Sequence, residues 1–502
     1  MRQAVILVGG RGTRLGELAR DVPKPLLPVA GEARFLDYLL TNIARHGFGE
    51  ILLLAGHLAE VAVRHYDGAR VLGATVRVLA EPVPVGTAGA LRHAAAALDD
   101  VFLMANGDSF LDVNYPALAQ ALGARDTGAM ALRRAPDAAR FGRVELDGDR
   151  VRAFHEKDAA FAGEAMISAG AYVLRRSVLD LIVKTPCSIE TDVFPTLAAK
   201  GVLAGYESDG YFIDIGLPET LEEARAGFAD RMRRAAVMFD RDGTLTVDDG
   251  YTHKPEALRW QPGAIEAIRA VNDAGALAIV VTNQAGVARG LYSEADMRAF
   301  HAHMQTELAK HGAHIDAFYH CPYHGEGVVP EFTHADHPDR KPNPGMLRRA
   351  LIEWPIERER CTMIGDSDRD MQAGAALHLP RFQVQPGQLL DIVRRELRET
   401  PPARAAVAPA AARLKHCAAA ARAWLFEAAL PLWAERGFDR VADCFHERIA
   451  LDGQPAAALP RRIRVQARQT AVFARAGRLG WAGPWRELAD TGARILRIRA
   501  LR

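Results

Sequence analysis

The sequence predicts an α/β protein of two doubly wound domains followed by a short α-helical extension. Three observations predict it. Short apolar runs end in turns rich in glycine or carboxylate, as at residues 4–8 before GGRGTRLG and 237–239 before DRDGT. Stretches with helical periodicity alternate with these runs (36–46 lies between 4–8 and 50–55), the β-α-β alternation of a parallel sheet. A Pro/Ala-rich stretch, TPPARAAVAPAAA at 400–412, precedes a tail in which Trp and Leu recur at helical spacing. The 502 residues suit about three domains with sizeable cores. The boundaries read as 1–234, 235–398, a linker at 399–412, and 413–502.

Composition narrows the partners. Lys and Arg number 63 against 62 Asp and Glu, a formal charge of +1, so no global field draws the chain to nucleic acid or a membrane. No apolar run nears the roughly 20 residues that span a bilayer. The N-terminus opens directly on a strand-like AVILV without the form of a signal peptide. Five scattered cysteines (Cys187, Cys321, Cys361, Cys417, Cys444) suit a reducing compartment. A cytoplasmic protein is expected, with oligomerisation left open.

In the first segment, the run 4–8 leads into Gly9, Gly10, Gly12 and Gly16 interleaved with Arg11, Thr13 and Arg14. Glycines there let backbone N–H groups converge on phosphate oxygens, and an arginine neutralises their charge. Lys24 follows in DVPKPLLPVAG, its approach fixed by flanking prolines. Together these motifs resemble the signature of sugar-1-phosphate nucleotidyltransferases, which have a Rossmann-like fold, and later landmarks agree in order. The loop EPVPVGTAGAL at 81–91, with Gly86, Thr87 and Gly89, looks like the family's loop over base and ribose. The resemblance implies metal-holding roles for Asp108 in NGDSF and Asp214 in YFIDIGLPETL. It gives Glu156 the sugar hydroxyls and Lys157 the sugar phosphate, both in FHEK, and places Gly170 in the SAGAYVL sugar motif. Ser168 departs from the asparagine of many relatives. Arg14, Lys24 and magnesium would then serve attack of a sugar 1-phosphate on the α-phosphorus of a nucleoside triphosphate. The runs FLDYLL, SIETDVFPTLA and FIDIGLPETL most resemble heptose-1-phosphate guanylyltransferases, which favours GTP.

In the second segment, the run 237–239 ends in Asp240 and Asp242, with Gly243 allowing a sharp turn. A carboxylate at the end of a strand sits where open α/β sheets place ligands. D-x-D-G-T resembles the nucleophile motif of the haloacid dehalogenase superfamily, whose domains are Rossmannoid. The resemblance makes Asp240 the nucleophile and Asp242 the proton shuttle. It makes Thr282 and Asn283 phosphate contacts, and Lys341 the phosphate-binding lysine with Arg340 beside it. Asp366 and Asp370 join Asp240 and Asp242 about a second magnesium. Ser293 reads as the N-cap of a long helix. TNQAGVARG and the insert before it most resemble the heptose-1,7-bisphosphate and histidinol-phosphate phosphatase branch. That branch carries a zinc loop of Cys-x-His and Cys-x-Cys. Here Cys321 remains, Tyr323 replaces the histidine, and His337 and Asp339 replace the later cysteines. A mixed site of Cys321, His324, His334 and His337 loses two thiolates and the usual spacing, so zinc is not expected. Ser367 replaces a lysine common in heptose phosphatases.

The tail, from WLFEAALPLWAERGF to AVFARAGRLGW, resembles the start of N-acylglucosamine 2-epimerases. A segment of about three helices cannot close their barrel, so no epimerase activity is expected, and its apolar faces would need to pack on other domains or a partner. The joint expectation is a fused enzyme of GDP-heptose synthesis acting on sugar phosphates and a nucleoside triphosphate. One alternative pairs mannose or glucose 1-phosphate with a histidinol-phosphate-like substrate. Another leaves one domain catalytically silent.

Overall fold

Four strands (Gln3–Leu7, Glu50–Ala55, Ala74–Ala80 and Val101–Asn106) lie side by side and parallel in the first sheet. In this computed structural model, residues 1–10, 12–158, 160–161, 163–399, 422, 424–450 and 453–500 are described. Helices cover both faces of these strands, so Ile51, Leu52, Leu53 and Leu54 are all buried and the runs read as continuous rather than alternating. The whole sheet has ten strands and is mixed. Ala165–Arg175 runs antiparallel to Val101–Asn106 and to Gly128–Ala135, and Arg143–Asp147 folds back on Arg150–His155 as a hairpin. The wholly parallel pattern therefore holds only where helices connect the strands.

The second sheet is parallel throughout, in the order Ala317–Cys321, Leu277–Asn283, Arg234–Phe239, Ile356–Gly365, Arg381–Gln383. Arg234–Phe239 is its first strand in the chain and its centre. The direction of winding changes beside it, which opens a crevice at the strands' C-terminal ends. Ser293 does cap the helix Glu294–Ala309, its hydroxyl accepting the Asp296 N–H at 3.1 Å.

Residues 1–403 form one compact unit, and buried charge joins its two sheets. Arg234, at the start of its strand, donates to Asp112 (2.6 Å), to the Gly275 carbonyl (2.7 Å) and to Asn42 (3.1 Å). Arg45 donates to Asp316 at 2.8 Å, and the His46 and His314 rings lie 4.2 Å apart. Asn114 ties Asp273 and the Gly312 carbonyl from the opposite side. Such a buried network leaves no uncompensated charge, and breaking one partner would strand the other. His314 and Arg45 hold the Asp316 carboxyl down to about 2 although burial alone would raise it.

Burial, reinforced by Arg45 and His314, pushes His46 well below the usual imidazole range; burial also lowers His314, against the pull of Asp316. The unfolded chain binds these protons below pH ~6.5, whereas the folded chain does not. The stability both histidines confer is present above that pH and is lost as pH falls, by up to about 1.4 kcal/mol per pH unit for each proton. Thermal melts from pH 7.5 to 5.0 should show Tm falling below pH 6.5. A flat profile over that range would contradict the buried pair.

The second unit, Arg404–Arg502, has a core of its own. The helices Leu430–Glu435, Ile463–Arg478 and Trp485–Ala500 and the short pair Phe438–Asp439/Cys444–Phe445 enclose Phe445, Phe473, Trp481 and Leu488. Gln466, buried, accepts the Phe445 N–H and donates to its carbonyl. Phe438, Phe445, Phe473 and Trp481 thus bury one another, while Trp424, Val441, Ile463 and Ile498 remain exposed. The linker at 399–412 falls, apart from residue 399, outside the described residues, as do Arg11 and Cys417. Among the described residues no helix is long and apolar enough to cross a membrane.

Two candidate active sites

In the first sheet, the turns after Gln3–Leu7 and Val101–Asn106 face the same space. The short strand Phe212–Asp214 pairs antiparallel with Ser109–Leu111, setting Asp214 opposite Ser109. That register brings two carboxylates, distant in sequence, together. Ser109 donates to Asp214 at 3.0 Å, and the Ile215 N–H donates to the Asp108 carbonyl at 3.0 Å. Lys24 makes an ion pair with Asp108. Burial and the neighbouring Asp108 push the Asp214 carboxyl up, opposed by Lys24. Two crowded carboxylates beside a single ammonium are a donor set that fits a divalent cation.

Two cavities meet at Lys24, Asn106, Asp108, Lys157 and Glu190. One, of about 220 Å³, is lined by Gly12, Thr13, Arg14, Gly170 and Asp214. The other, of about 360 Å³, is lined by Gly9, Gly10, Gly86, Thr87 and Glu81. Gly86 has φ +80°, and a Cβ there would run into the Cys187 backbone. The Thr87 hydroxyl accepts the Ile189 N–H at 2.8 Å. These contacts fix the loop against the 187–189 segment, which is what delivers Glu190.

Glu156 is the exception among the expected residues. Its strand ends at His155, so side-chain alternation does not carry Glu156 inward; it is exposed and lines neither cavity. Glu190 occupies the wall instead, 3.9 Å from Lys157, its carboxyl raised by burial. Sequence reasoning passed over it, although it lies inside the quoted SIETDVF run. Arg140, 3.8 Å from Asp214, was also missed, and nothing in its local sequence marks it.

In the second sheet, Asp240 follows the central strand, Thr282 and Asn283 end the next, and Asp366 follows Ile356–Gly365. Asp240, Asp366 and Asp370 can bring one oxygen each within 4.8 Å of one another. Lys341 reaches this group from its loop, 2.6 Å from Asp240, 2.6 Å from Asp370 and 2.8 Å from the Val281 carbonyl. Burial pushes the Asp240 carboxyl up, Asp370 and Asp242 add to this, and Lys341 opposes it. Three acidic groups with one buried ammonium fit a divalent cation here also. Gly243, at φ +87°, is required: a Cβ would collide with the Asp366 carboxylate.

Three details differ from expectation. The Asp242 carboxylate lies on the cavity wall outside the converging trio, so its place as a side-chain metal ligand is corrected. Arg241, wholly buried, donates to both its oxygens (2.8 and 2.9 Å), and Gln284 donates to one at 2.7 Å. Asn283 donates to the Lys341 carbonyl (2.9 Å) and accepts its N–H (3.0 Å), so its amide positions the lysine. Ser367 caps the helix Asp368–Ala375 and donates to Asp370 at 2.6 Å, a structural use for the residue that replaces lysine. Thr282 is buried and accepts from Gln284, while Arg340 lines the cavity and donates to the Tyr323 carbonyl.

In the altered zinc loop, Cys321 is buried with its thiol pushed up to about 11. Tyr323 stacks on His337 at 3.9 Å, and the Nδ1 atoms of His324, His334 and His337 each accept a backbone N–H.

Arg241 is a positioning residue: wholly buried, it acts through the Asp242 carboxylate, which it sets in place. Arg241→Lys should lower kcat for phosphate release by about ten- to hundredfold with little change in KM, since proton transfer by a placed carboxylate is worth that much or more. Nucleotidyl transfer by the same chain reports whether the variant has folded. An unchanged kcat would show that the clamp does not matter.

The fold and its two carboxylate-and-lysine sites define an α/β enzyme of phosphate chemistry with two centres. Comparison with known proteins gives each part of the chain its family. A nucleotidyl transferase family model matches residues 3–231, a HAD-hydrolase-like model matches 339–411, and an N-acylglucosamine 2-epimerase model matches 444–500. A D-glycero-beta-D-manno-heptose-1,7-bisphosphate 7-phosphatase of Rhodopseudomonas palustris is 42% identical over 165 residues, 33% of this chain and 90% of that protein. A mannose-1-phosphate guanylyltransferase of Mycobacterium tuberculosis is 34% identical over 264 residues, 51% of this chain and 72% of that protein. The crystal structure of HddC from Yersinia pseudotuberculosis covers 45% of this chain and all of that one, at 27% identity and a TM-score of 0.41. The chain belongs to the nucleotidyl transferase family in its first part and to the HAD-like phosphatases in its second, a fusion of two enzymes.

Proposed function

We propose that this chain carries out two consecutive steps of GDP-heptose synthesis. The phosphatase part, residues 235–398, hydrolyses the 7-phosphate of a heptose 1,7-bisphosphate. The transferase part, residues 1–234, joins the resulting heptose 1-phosphate to GMP from GTP and releases pyrophosphate. The observation that carries this reading is the similarity of the phosphatase part to heptose bisphosphate phosphatases on the same chain as a nucleotidyl transferase. The product of the first reaction has the chemistry the second consumes.

In the phosphatase, an Asp240 oxygen attacks the 7-phosphorus and the sugar alkoxide leaves with a proton from Asp242. Asp242 then takes a proton from water, whose oxygen attacks the aspartyl-phosphate and restores Asp240. Lys341 holds Asp240 in place and offsets phosphate charge. Magnesium held by Asp240, Asp366 and Asp370 would supply the remaining positive charge. In the transferase, a phosphate oxygen of heptose 1-phosphate attacks the α-phosphorus of GTP in line, and pyrophosphate carries away the bonding electrons. Lys24 and Arg14 oppose the charge that accumulates, and Lys157 meets the sugar phosphate. Magnesium held by Asp108 and Asp214 would supply further positive charge against the triphosphate. The C-terminal segment is assigned no epimerase chemistry.

A second reading, favoured by the mannose-1-phosphate guanylyltransferase relative, makes mannose 1-phosphate the acceptor. Steady-state assays separate the two. Heptose 1,7-bisphosphate should exceed histidinol phosphate in kcat/KM for phosphate release, and heptose 1-phosphate should exceed mannose 1-phosphate for pyrophosphate release. The reverse order at either site rejects the heptose there.

A further inference from the structure

We infer that Tyr323 and His337 are positioning residues for the phosphatase. Their stacked rings close the loop that the zinc-carrying branch closes with a metal, and so hold Arg340 at the cavity without one. The inference rests on the phosphatase activity of the second part and not on the identity of its sugar.

The four positions at which that branch places its ligands hold Cys321, Tyr323, His337 and Asp339 in this chain. A structural zinc needs four donors at about 2.0 to 2.3 Å from one centre, and so within about 4 Å of each other. Among the described residues, no three of the loop's thiol, imidazole and carboxylate donors lie within 4.8 Å of one another. Two of them are committed elsewhere. The His337 Nδ1 accepts the Asp339 N–H at 3.1 Å, and the Asp339 carboxylate pairs at 3.1 Å with Arg349 on the following helix, Gly345–Glu353. A Cβ on Gly345 would run into that carboxylate, so the glycine admits it.

A ring face joins the second and third positions instead. The Tyr323 and His337 centroids lie 3.9 Å apart with the planes 13° from parallel. Phe332 meets Tyr323 edge-on at 5.8 Å, and His334 meets His337 edge-on at 5.2 Å, so four rings gather across the loop. Two hydrogen bonds tie the stack to the active cavity. The Arg340 N–H donates to the His337 carbonyl at 2.9 Å, and the Arg340 guanidinium donates to the Tyr323 carbonyl at 3.1 Å. Arg340 thus takes its backbone position from one ring residue and its side-chain direction from the other, and it lines the phosphatase cavity. Lys341, next in the chain, is held separately by its paired bonds with Asn283. Opening the stack therefore frees Arg340 and leaves Lys341 beside Asp240, which weakens substrate binding and spares the chemical step.

The test has two arms. In the first, zinc in the full chain is measured by plasma mass spectrometry, and phosphate release is compared before and after EDTA treatment and return to magnesium. The expected result is far less than one zinc per chain, with kcat and KM unchanged by the treatment. Zinc near one per chain, or activity that only zinc restores, overturns the inference. In the second, Tyr323→Leu should raise KM for phosphate release by about three- to tenfold, the worth of one ring pair, with kcat held. His337→Leu opens the stack from the other side and should do the same, whereas Tyr323→Phe keeps the stack and should behave as the full chain. Pyrophosphate release reports that each variant has folded. Added to Arg340→Ala, Tyr323→Leu should raise KM no further. An unchanged KM in both leucine variants, or a full further loss on top of Arg340→Ala, overturns the role of the stack. If the untreated chain hydrolyses no phosphomonoester, the phosphatase reading itself falls.

Discussion

Asp240→Asn abolishes phosphate release, by about a thousandfold or more, and leaves nucleotidyl transfer intact. An amide cannot supply the attacking oxygen anion, and two neighbouring oxygen groups are already engaged: Thr282 is buried and accepts from Gln284, and Asp242 is held on the wall by Arg241. The substitution is nearly isosteric. It also removes one negative charge from a group that already crowds Asp370 and Asp366 about Lys341, so the fold is not expected to suffer. Malachite-green detection of phosphate from a heptose bisphosphate reads the loss. Pyrophosphate release from added heptose 1-phosphate and GTP reads the surviving half. Residual phosphate release within tenfold of the unaltered chain would remove Asp240 from the nucleophile's place.

Asp108→Asn does the converse. It takes away one of the two carboxylates that the Phe212–Asp214/Ser109–Leu111 pairing brings together, and with it the partner of Lys24. Pyrophosphate release should fall by about a hundred- to a thousandfold, the scale of removing one group that stabilises charge in a phosphoryl transfer. Phosphate release should be unchanged, because the phosphatase carboxylates sit at the opposite end of the second sheet from the Arg234–Asp112 contact. Arg234 begins the central strand and Asp240 follows its end. Loss of both activities together would indicate instead that Asp108 supports the joint between the sheets, only four positions away at Asp112.

Much of this was legible because motifs that end strands are contiguous in sequence. DRDGT, TNQ, RKP and GDSDRD each carry their residue at a strand or loop end, and the parallel order of five strands brings Asp240, Asp366, Asp370 and Lys341 to one place. The glycine loop and Lys24 were visible for the same reason. What was not visible depends on pairing across long separations. The Arg234–Asp112 and Arg45–Asp316 bonds span 122 and 271 positions, and each residue alone reads as an ordinary surface charge. Glu190 enters its wall through the stitching of the 84–89 loop to Cys187, which no local pattern announces. Glu156 falls outside the two cavity walls because the strand stops one residue short, at His155, although the motif around it is intact. The core of the tail was missed because its three helices were weighed as pieces of a larger barrel rather than against one another.

The most direct test supplies the full chain with a heptose 1,7-bisphosphate, magnesium and equal amounts of GTP, ATP, UTP and CTP, and follows the products by mass spectrometry. The account predicts inorganic phosphate, pyrophosphate and a single nucleotide sugar with the mass of GDP-heptose, free of any further phosphate. A nucleotide sugar that keeps its 7-phosphate, one built on another base, or phosphate release with no nucleotide sugar at all would contradict it.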